Sequence, residues 1–175
     1  MTTYAYDSTD NLLQQVDALG NTNSYTYDSK GNKLTETEPL GFTMRYTHGP
    51  LRELTSTTTP RGFTTTNTYD PDTGNLLQEQ DPLGNVTSYS YDGQGNLLTR
   101  TDALGNVMSN RYDNVGHMTS MATIDAVRGL LNSTTFTYDT NGNQLSKSMR
   151  RTTPAVCRRP LMMMSMSPPA SDPAT

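Results

Sequence analysis

The 175-residue sequence has no tryptophan, one cysteine and two histidines. The lone Cys157 excludes an intramolecular disulfide and any Cys-based zinc cage. No apolar run approaches the ~18 residues of a membrane-crossing helix. The N-terminal MTTYAYD has neither a basic n-region nor an apolar h-region, so this chain shows no signal peptide. Charge is scarce: 17% of residues are charged and the net is −4, with a pI near 5.0. That balance argues against a general nucleic-acid binder. Hydrophobic residues make up 32%, against roughly 45–50% apolar in ordinary domains. Low hydrophobicity marks disorder when net charge is also high, and here it is small. The polarity lies in Thr, Ser, Asn and Gly, which suit strands and turns better than solvated coil.

What is present is a repeat. All ten tyrosines lie at or before Tyr138. Tyr-Asp recurs at Tyr6-Asp7, Tyr27-Asp28, Tyr69-Asp70, Tyr91-Asp92, Tyr112-Asp113 and Tyr138-Asp139, and His48-Gly49 fills the gap as a drifted copy. The period is about 21 residues, a length typical of repeat architectures. One extra residue in DPDTGN (70–75) and an insertion near 121–132 stretch it locally.

Each unit keeps one order: a Gly-Asn turn, a short apolar stretch such as Leu97-Leu98, a second turn, and an alternating strand ending in the next Tyr-Asp. The second turns are DALGN (17–21), EPLGF (38–42), TPRGF (59–63), DPLGN (81–85) and DALGN (102–106), with Gly20, Gly41, Gly62, Gly84 and Gly105 at the fourth position. A Gly there suits a type I turn closed by a left-handed residue in a G1 bulge. Two turns and two strands fill the period, so the unit is a β-hairpin. In VTSYSYD, Thr87, Tyr89 and Tyr91 fall on one face and Val86, Ser88 and Ser90 on the other. Stacked hairpins would set the tyrosines in a cross-strand ladder.

The chain divides near residue 150. Residues 1–149 carry a net charge of −7 and residues 150–175 carry +3. The last segment, RRTTPAVCRRPLMMMSMSPPASDPAT, has no strand or helix period and is rich in breakers, which predicts disorder.

Residues 6–149 resemble the YD repeats of the Rhs (rearrangement hotspot) family, whose unit reads roughly YDxxGNLLxxTDPLGNxTxYxYD; residues 69–113 match best. The resemblance implies an all-β fold of repeated antiparallel hairpins in an open, curled sheet of about 13 strands, part of a hollow shell. The repeat array would occupy 1–149, with units starting near 6, 27, 48, 69, 91, 112 and 138. The intact family member would encapsulate a C-terminal toxin and act as a secreted or cell-surface protein. Its partners would be the rest of the shell and the cargo, with no nucleic acid, no membrane span and no cofactor. The alternative is an extracellular carbohydrate- or cell-surface-binding module. The chain begins partway through a unit and lacks a family end motif, so it reads as an internal fragment whose free edges would self-associate. The next Tyr-Asp would fall near LMMM (161–164). ATG codons shifted by one base and preceded by T spell Tyr-Asp-Asp, so the segment from about 150 is read as a frameshifted repeat.

Catalytic and metal readings are weak. Asp70-Pro-Asp72-Thr-Gly74-Asn75 and Asp139-Thr-Asn141-Gly142-Asn143 look like the start of a calcium loop. An EF-hand, however, needs Gly and Glu where Asn75 and Asp81 stand. Asp7, Asp28, Asp70, Asp92, Asp113 and Asp139 recur in every unit, which suits a carboxylate accepting N–H bonds across its turn. His48 and His117 occupy drifted repeat positions. No phosphate loop occurs, because the Gly-Asn turns lead into strands. Asn85-Val-Thr87 and Asn132-Ser-Thr134 fit a glycosylation pattern that is frequent in such compositions. Tyr89 and Tyr91 are the candidate carbohydrate contacts, set against ordinary half-buried packing. The chain reads as a non-enzyme.

Overall fold

The structure is a computed structural model that describes residues 1–152. It contains fourteen strands: β1 (Thr3–Tyr6), β2 (Leu12–Val16), β3 (Thr22–Tyr27), β4 (Lys33–Thr37), β5 (Thr43–His48), β6 (Leu54–Thr58), β7 (Thr64–Tyr69), β8 (Leu76–Gln80), β9 (Val86–Tyr91), β10 (Leu97–Thr101), β11 (Val107–Tyr112), β12 (Met118–Asp125), β13 (Gly129–Tyr138) and β14 (Gln144–Arg151). All lie in one sheet in chain order. Only consecutive strands touch, so the sheet is open, with β1 and β14 as its free edges. At about 4.8 Å per strand it is roughly 60 Å wide. No helix occurs among the described residues.

The strand count exceeds the expected 13 by one, and β14 runs past the boundary read at 149. The seven Tyr-Asp-type hairpins supply two strands each, and the extension of β14 comes from the insertion near 121–132. The insertion lengthens β12 to eight residues and β13 to ten. The longer β13 offers partners for more of the chain: Arg150 pairs with Ser133 and Arg151 with Asn132. Thr152 N–H donates to the Leu131 carbonyl at 2.9 Å. The disorder and shifted frame expected for the remaining tail concern residues 153–175, which lie outside the described residues.

The register sorts the side chains into two faces. Tyr89 faces Arg100, which faces Met108; Ser88 faces Thr101, which faces Val107. One face therefore carries the tyrosines with Asn, Glu, Arg, Leu and Met. The other is dominated by hydroxyls, and several pair across strands: Thr26 with Thr35 at 2.6 Å, Thr58 with Thr64 at 2.9 Å, Ser90 with Thr99 at 2.6 Å. No hydrophobic residue among those described is fully buried; only Asn110 and Thr134 are, each at 5% exposure. The described residues form a single layer without a core.

A β-bulge recurs in each Tyr-Asp hairpin. Tyr91 pairs with Leu97, but Ser90 pairs with Thr99, leaving Leu98 as the extra residue. The same slip occurs at Tyr6/Leu12, Tyr27/Lys33, His48/Leu54, Tyr69/Leu76, Tyr112/Met118 and Tyr138/Gln144. A bulge disrupts the ladder locally and increases twist. It also explains the Leu-Leu pairs: the second Leu is the inserted residue, so the pair does not need two opposite faces.

Candidate functional site

The two kinds of turn have one geometry. Gly20 N–H donates to Asp17 O at 3.1 Å and Asp17 N–H to Asn21 O at 2.9 Å. Gly95 N–H donates to Asp92 O at 3.1 Å and Asp92 N–H to Asn96 O at 3.0 Å. Both are three-residue loops closed by a left-handed residue, with φ of 86° at Gly20 and 84° at Gly95. In drifted copies Asp10 (φ 63°) and Arg52 (φ 71°) occupy the glycine place, a conformation that side chains adopt at a cost.

Most loops carry a carboxylate clamp. Asp92 Oδ1 accepts the N–H groups of Gln94 and Asn96, both at 2.9 Å, and Asp92 Oδ2 accepts the Asn96 amide at 2.9 Å. Asp7 with Asn11, Asp28 with Asn32 and Asp139 with Asn143 repeat the arrangement. So do Asp17 with Asn21, Asp81 with Asn85 and Asp102 with Asn106 in the second turns. In the enlarged turn, Asp70 instead accepts from Thr73, through its N–H at 2.8 Å and its hydroxyl at 2.9 Å. Donation from the Asn amide and the loop N–H groups favours the ionised form. It holds Asp7 down to about 2 and lowers Asp17, Asp81, Asp92, Asp102 and Asp139.

One drifted copy keeps the clamp by other means. His117 stands in the Asn place; its Nδ1 lies 3.0 Å from Asp113 Oδ2 and its ring stacks on Tyr138 at 4.7 Å. Partial burial opposes ionisation of Asp113, but donation from the N–H groups of His117 and Val115 prevails, and its pKa is lowered. At 49–53 the clamp is absent: Gly49 replaces the Asp, and Glu53 fills the space that a Gly49 Cβ would enter.

Three of the tyrosines serve the bulges. The Tyr112 hydroxyl donates to the Leu97 carbonyl at 3.1 Å, and Asn110 Nδ2 donates to the same oxygen at 3.0 Å. Tyr69 and Asn67 do the same at Leu54 O, at 3.0 and 2.9 Å. Tyr138 reaches Met118 O at 2.9 Å. Leu54, Leu97 and Met118 are each the first residue of a bulge. One unit's tyrosine thus caps a carbonyl in the preceding unit's bulge. Nothing in the sequence marks this contact, because the acceptor is backbone. Tyr46 bonds the Glu36 carboxylate at 3.3 Å. Among the described residues the hydroxyls of Tyr89 and Tyr91 take no protein partner; the two side chains are half-buried on one face, and burial raises the Tyr91 pKa.

Among the described residues no group of three or more His, Cys, Asp or Glu side chains is placed to hold a metal ion. The recurring aspartates are dispersed along the two borders of turns, at most one clamp to a loop, and form no common centre. What the arrangement supplies is rigid loop closure and coupling between units.

Comparison with known proteins agrees with this picture. The RHS Repeat family matches residues 6–43 and 69–107. No curated protein matches the chain. Among solved structures, TcdB2-TccC3 with Cdc42 aligns with a TM-score of 0.68 at 17% identity, over 86% of this chain and 9% of that one. TcdB2-TccC3 without its hypervariable C-terminal region gives 0.69 at 18%, with the same shares of 86% and 9%. The Tc holotoxin pore of Photorhabdus luminescens, carrying a TccC3 mutation, gives 0.67 at 19%, again over 86% and 9%. The chain therefore spans about a tenth of the length of these chains. At such identities the likeness establishes the fold.

Proposed function

Because the chain carries RHS repeats, we propose that it is a length of β-sheet wall in a larger shell that encloses a toxin polypeptide until delivery. The observation that carries this reading is a fourteen-stranded sheet one layer thick, with no buried hydrophobic residue among those described. Such a sheet has no interior of its own, and its polar groups are spent on closing loops and capping bulges. It is suited to separating two sides, a structural task and not a catalytic one. In the intact protein β1 and β14 would pair with neighbouring strands of the same wall. In isolation those edges offer unpaired N–H and C=O groups to other copies. The intact protein would work outside the cell that makes it, or at its surface.

The test is protection of cargo. The coding region is expressed together with its flanking DNA as one polypeptide and treated with protease. The segment following the repeats should resist digestion while the wall is folded. Digestion at the rate of the same segment expressed alone overturns the reading.

One observation favours a second reading, glycan binding: the partnerless hydroxyls of Tyr89 and Tyr91 on one face of β9. Aromatic rings there could stack on a sugar. Binding on a glycan array, abolished by Tyr89→Ala with Tyr91→Ala, would support it; no binding, or binding untouched by the pair, would dismiss it.

A further inference from the structure

The two long borders of the sheet, each a row of turns, differ in chemistry. We propose that the border formed by the loops at 17–21, 38–42, 59–63, 81–85 and 102–106 docks a second copy of this chain, about a two-fold axis between loops 38–42 and 59–63. The proposal goes beyond the wall reading and does not depend on it.

Four loops on this border present Leu at their third position, almost wholly in solvent: Leu19 at 88%, Leu40 at 82%, Leu83 at 85% and Leu104 at 81% exposure. A type I loop accepts most residue types there. On the opposite border the corresponding place holds Thr9, Lys30, Asp72, Gln94 and Asn141, and is apolar only at Leu51 and Val115. Turn geometry therefore does not call for the leucines, and contiguous exposed apolar area marks interaction surfaces.

The centre of the border is more apolar still. Loops 38–42 and 59–63 end in Phe42 and Phe63 where their neighbours end in the clamp Asn, and each ring is 52% exposed. These are two of only three phenylalanines in the chain. Between them lies a groove of about 430 Å³ lined by Phe42, Met44, Pro60 and Phe63, with Glu38 and Arg61 beside them. Among the described residues neither Glu38 nor Arg61 has an ion-pair partner within the chain.

Charge and spacing together select the occupant. Adjacent loops on one border are two strand spacings apart, about 9.6 Å. A two-fold axis midway between loops 38–42 and 59–63 sets each against the other loop of the second copy. Glu38 then meets Arg61 of the second copy, and Phe42 meets its Phe63, each contact occurring twice. One loop further out, Leu19 meets Leu83 of the second copy. The patch is self-complementary, as an isologous dimer requires, with an aromatic centre and opposite charges fixing the register. The surface is small, so association in the range of tens of micromolar is expected. It closes at two copies, whereas pairing through β1 and β14 grows without limit.

Sedimentation equilibrium of the full chain, from about 5 to 200 µM, should show a mass levelling at the dimer. Glu38→Arg and Arg61→Glu should each weaken association about tenfold, and the two combined should return it to near the parent value, because the charges are exchanged and not lost. Phe42→Asn with Phe63→Asn places the neighbouring loops' residue in both, should keep the melting curve, and should leave a monomer. If that variant fails to fold, the charge exchange decides alone. A monomer throughout, open-ended growth indifferent to these substitutions, or a charge exchange no better than its single components would each overturn the proposal. Growth without limit would implicate the strand edges and leave the wall reading intact.

Discussion

Asp92 shows what one residue does in this array. Its carboxylate closes the loop by accepting two N–H groups and the Asn96 amide, so the loop depends on its charge and its length together. Asp92→Ala is expected to lower the melting temperature by roughly 2–4 °C, as read by circular dichroism, and Asn96→Ala by less, because it removes one of the three bonds. The same chemistry makes the fold acid-sensitive. Ten aspartates, one of them Asp7 at about 2, are held below their ordinary value by such donation. Their unfolded value is near 3.9. Between about pH 4 and 2 the unfolded chain therefore binds more protons than the native one, and stability falls as pH falls. Above about pH 5 that contribution is fully present. Urea midpoints should be flat from pH 7 to 5 and drop steeply below 4. A midpoint unchanged at pH 2.5 would mean that the clamps contribute nothing.

At the scale of the element, the hairpin is defined by its bulge, and in three places by a tyrosine that caps it. Tyr112→Phe removes the bond to Leu97 O and should cost about 0.5–1.5 kcal/mol. Tyr91→Phe removes no protein hydrogen bond and should be close to neutral. Equal losses in the two variants, measured by urea unfolding, would contradict the capping role. Deleting Leu98 should be far more damaging than Leu98→Ala. Without the extra residue Leu97, Thr99 and Arg100 cannot all keep their present partners, and a one-residue slip turns side chains to the wrong face.

For the whole molecule, stability is the sum of thirteen strand-to-strand interfaces, since only consecutive strands touch. Such arrays behave as one-dimensional chains of neighbouring interactions. Hydrogen exchange should therefore be slowest in β6 to β9 and fastest in β1 and β14, each of which has a neighbour on one side only. Uniform protection from edge to edge would point to a cooperative core, which the structure does not contain. The low hydrophobic content has its explanation at this scale. A single layer buries little, and its strands are joined by backbone bonds, paired hydroxyls and loop clamps.

The local plan was legible in the residues. A 21-residue period, Gly at the left-handed loop position and alternation in segments such as VTSYSYD suffice to define hairpins, because turn geometry and strand alternation are short-range. The Asp of Tyr-Asp could be read for the same reason: its acceptors and donors lie within four residues. What required the tertiary structure depends on register between strands. Leu98 became an inserted residue, and Tyr112 found a carbonyl fifteen residues upstream, only when β9, β10 and β11 were aligned. That Glu53 fills the space beside Gly49 needed three dimensions too, since each position read singly looks like decay. The lengthened β13 extended pairing to Arg151, past the composition change near 150, because strand pairing follows available backbone partners and not charge or proline content. Sequence determined the repeating unit; the alignment of units decided which face, which border and which carbonyl each side chain met.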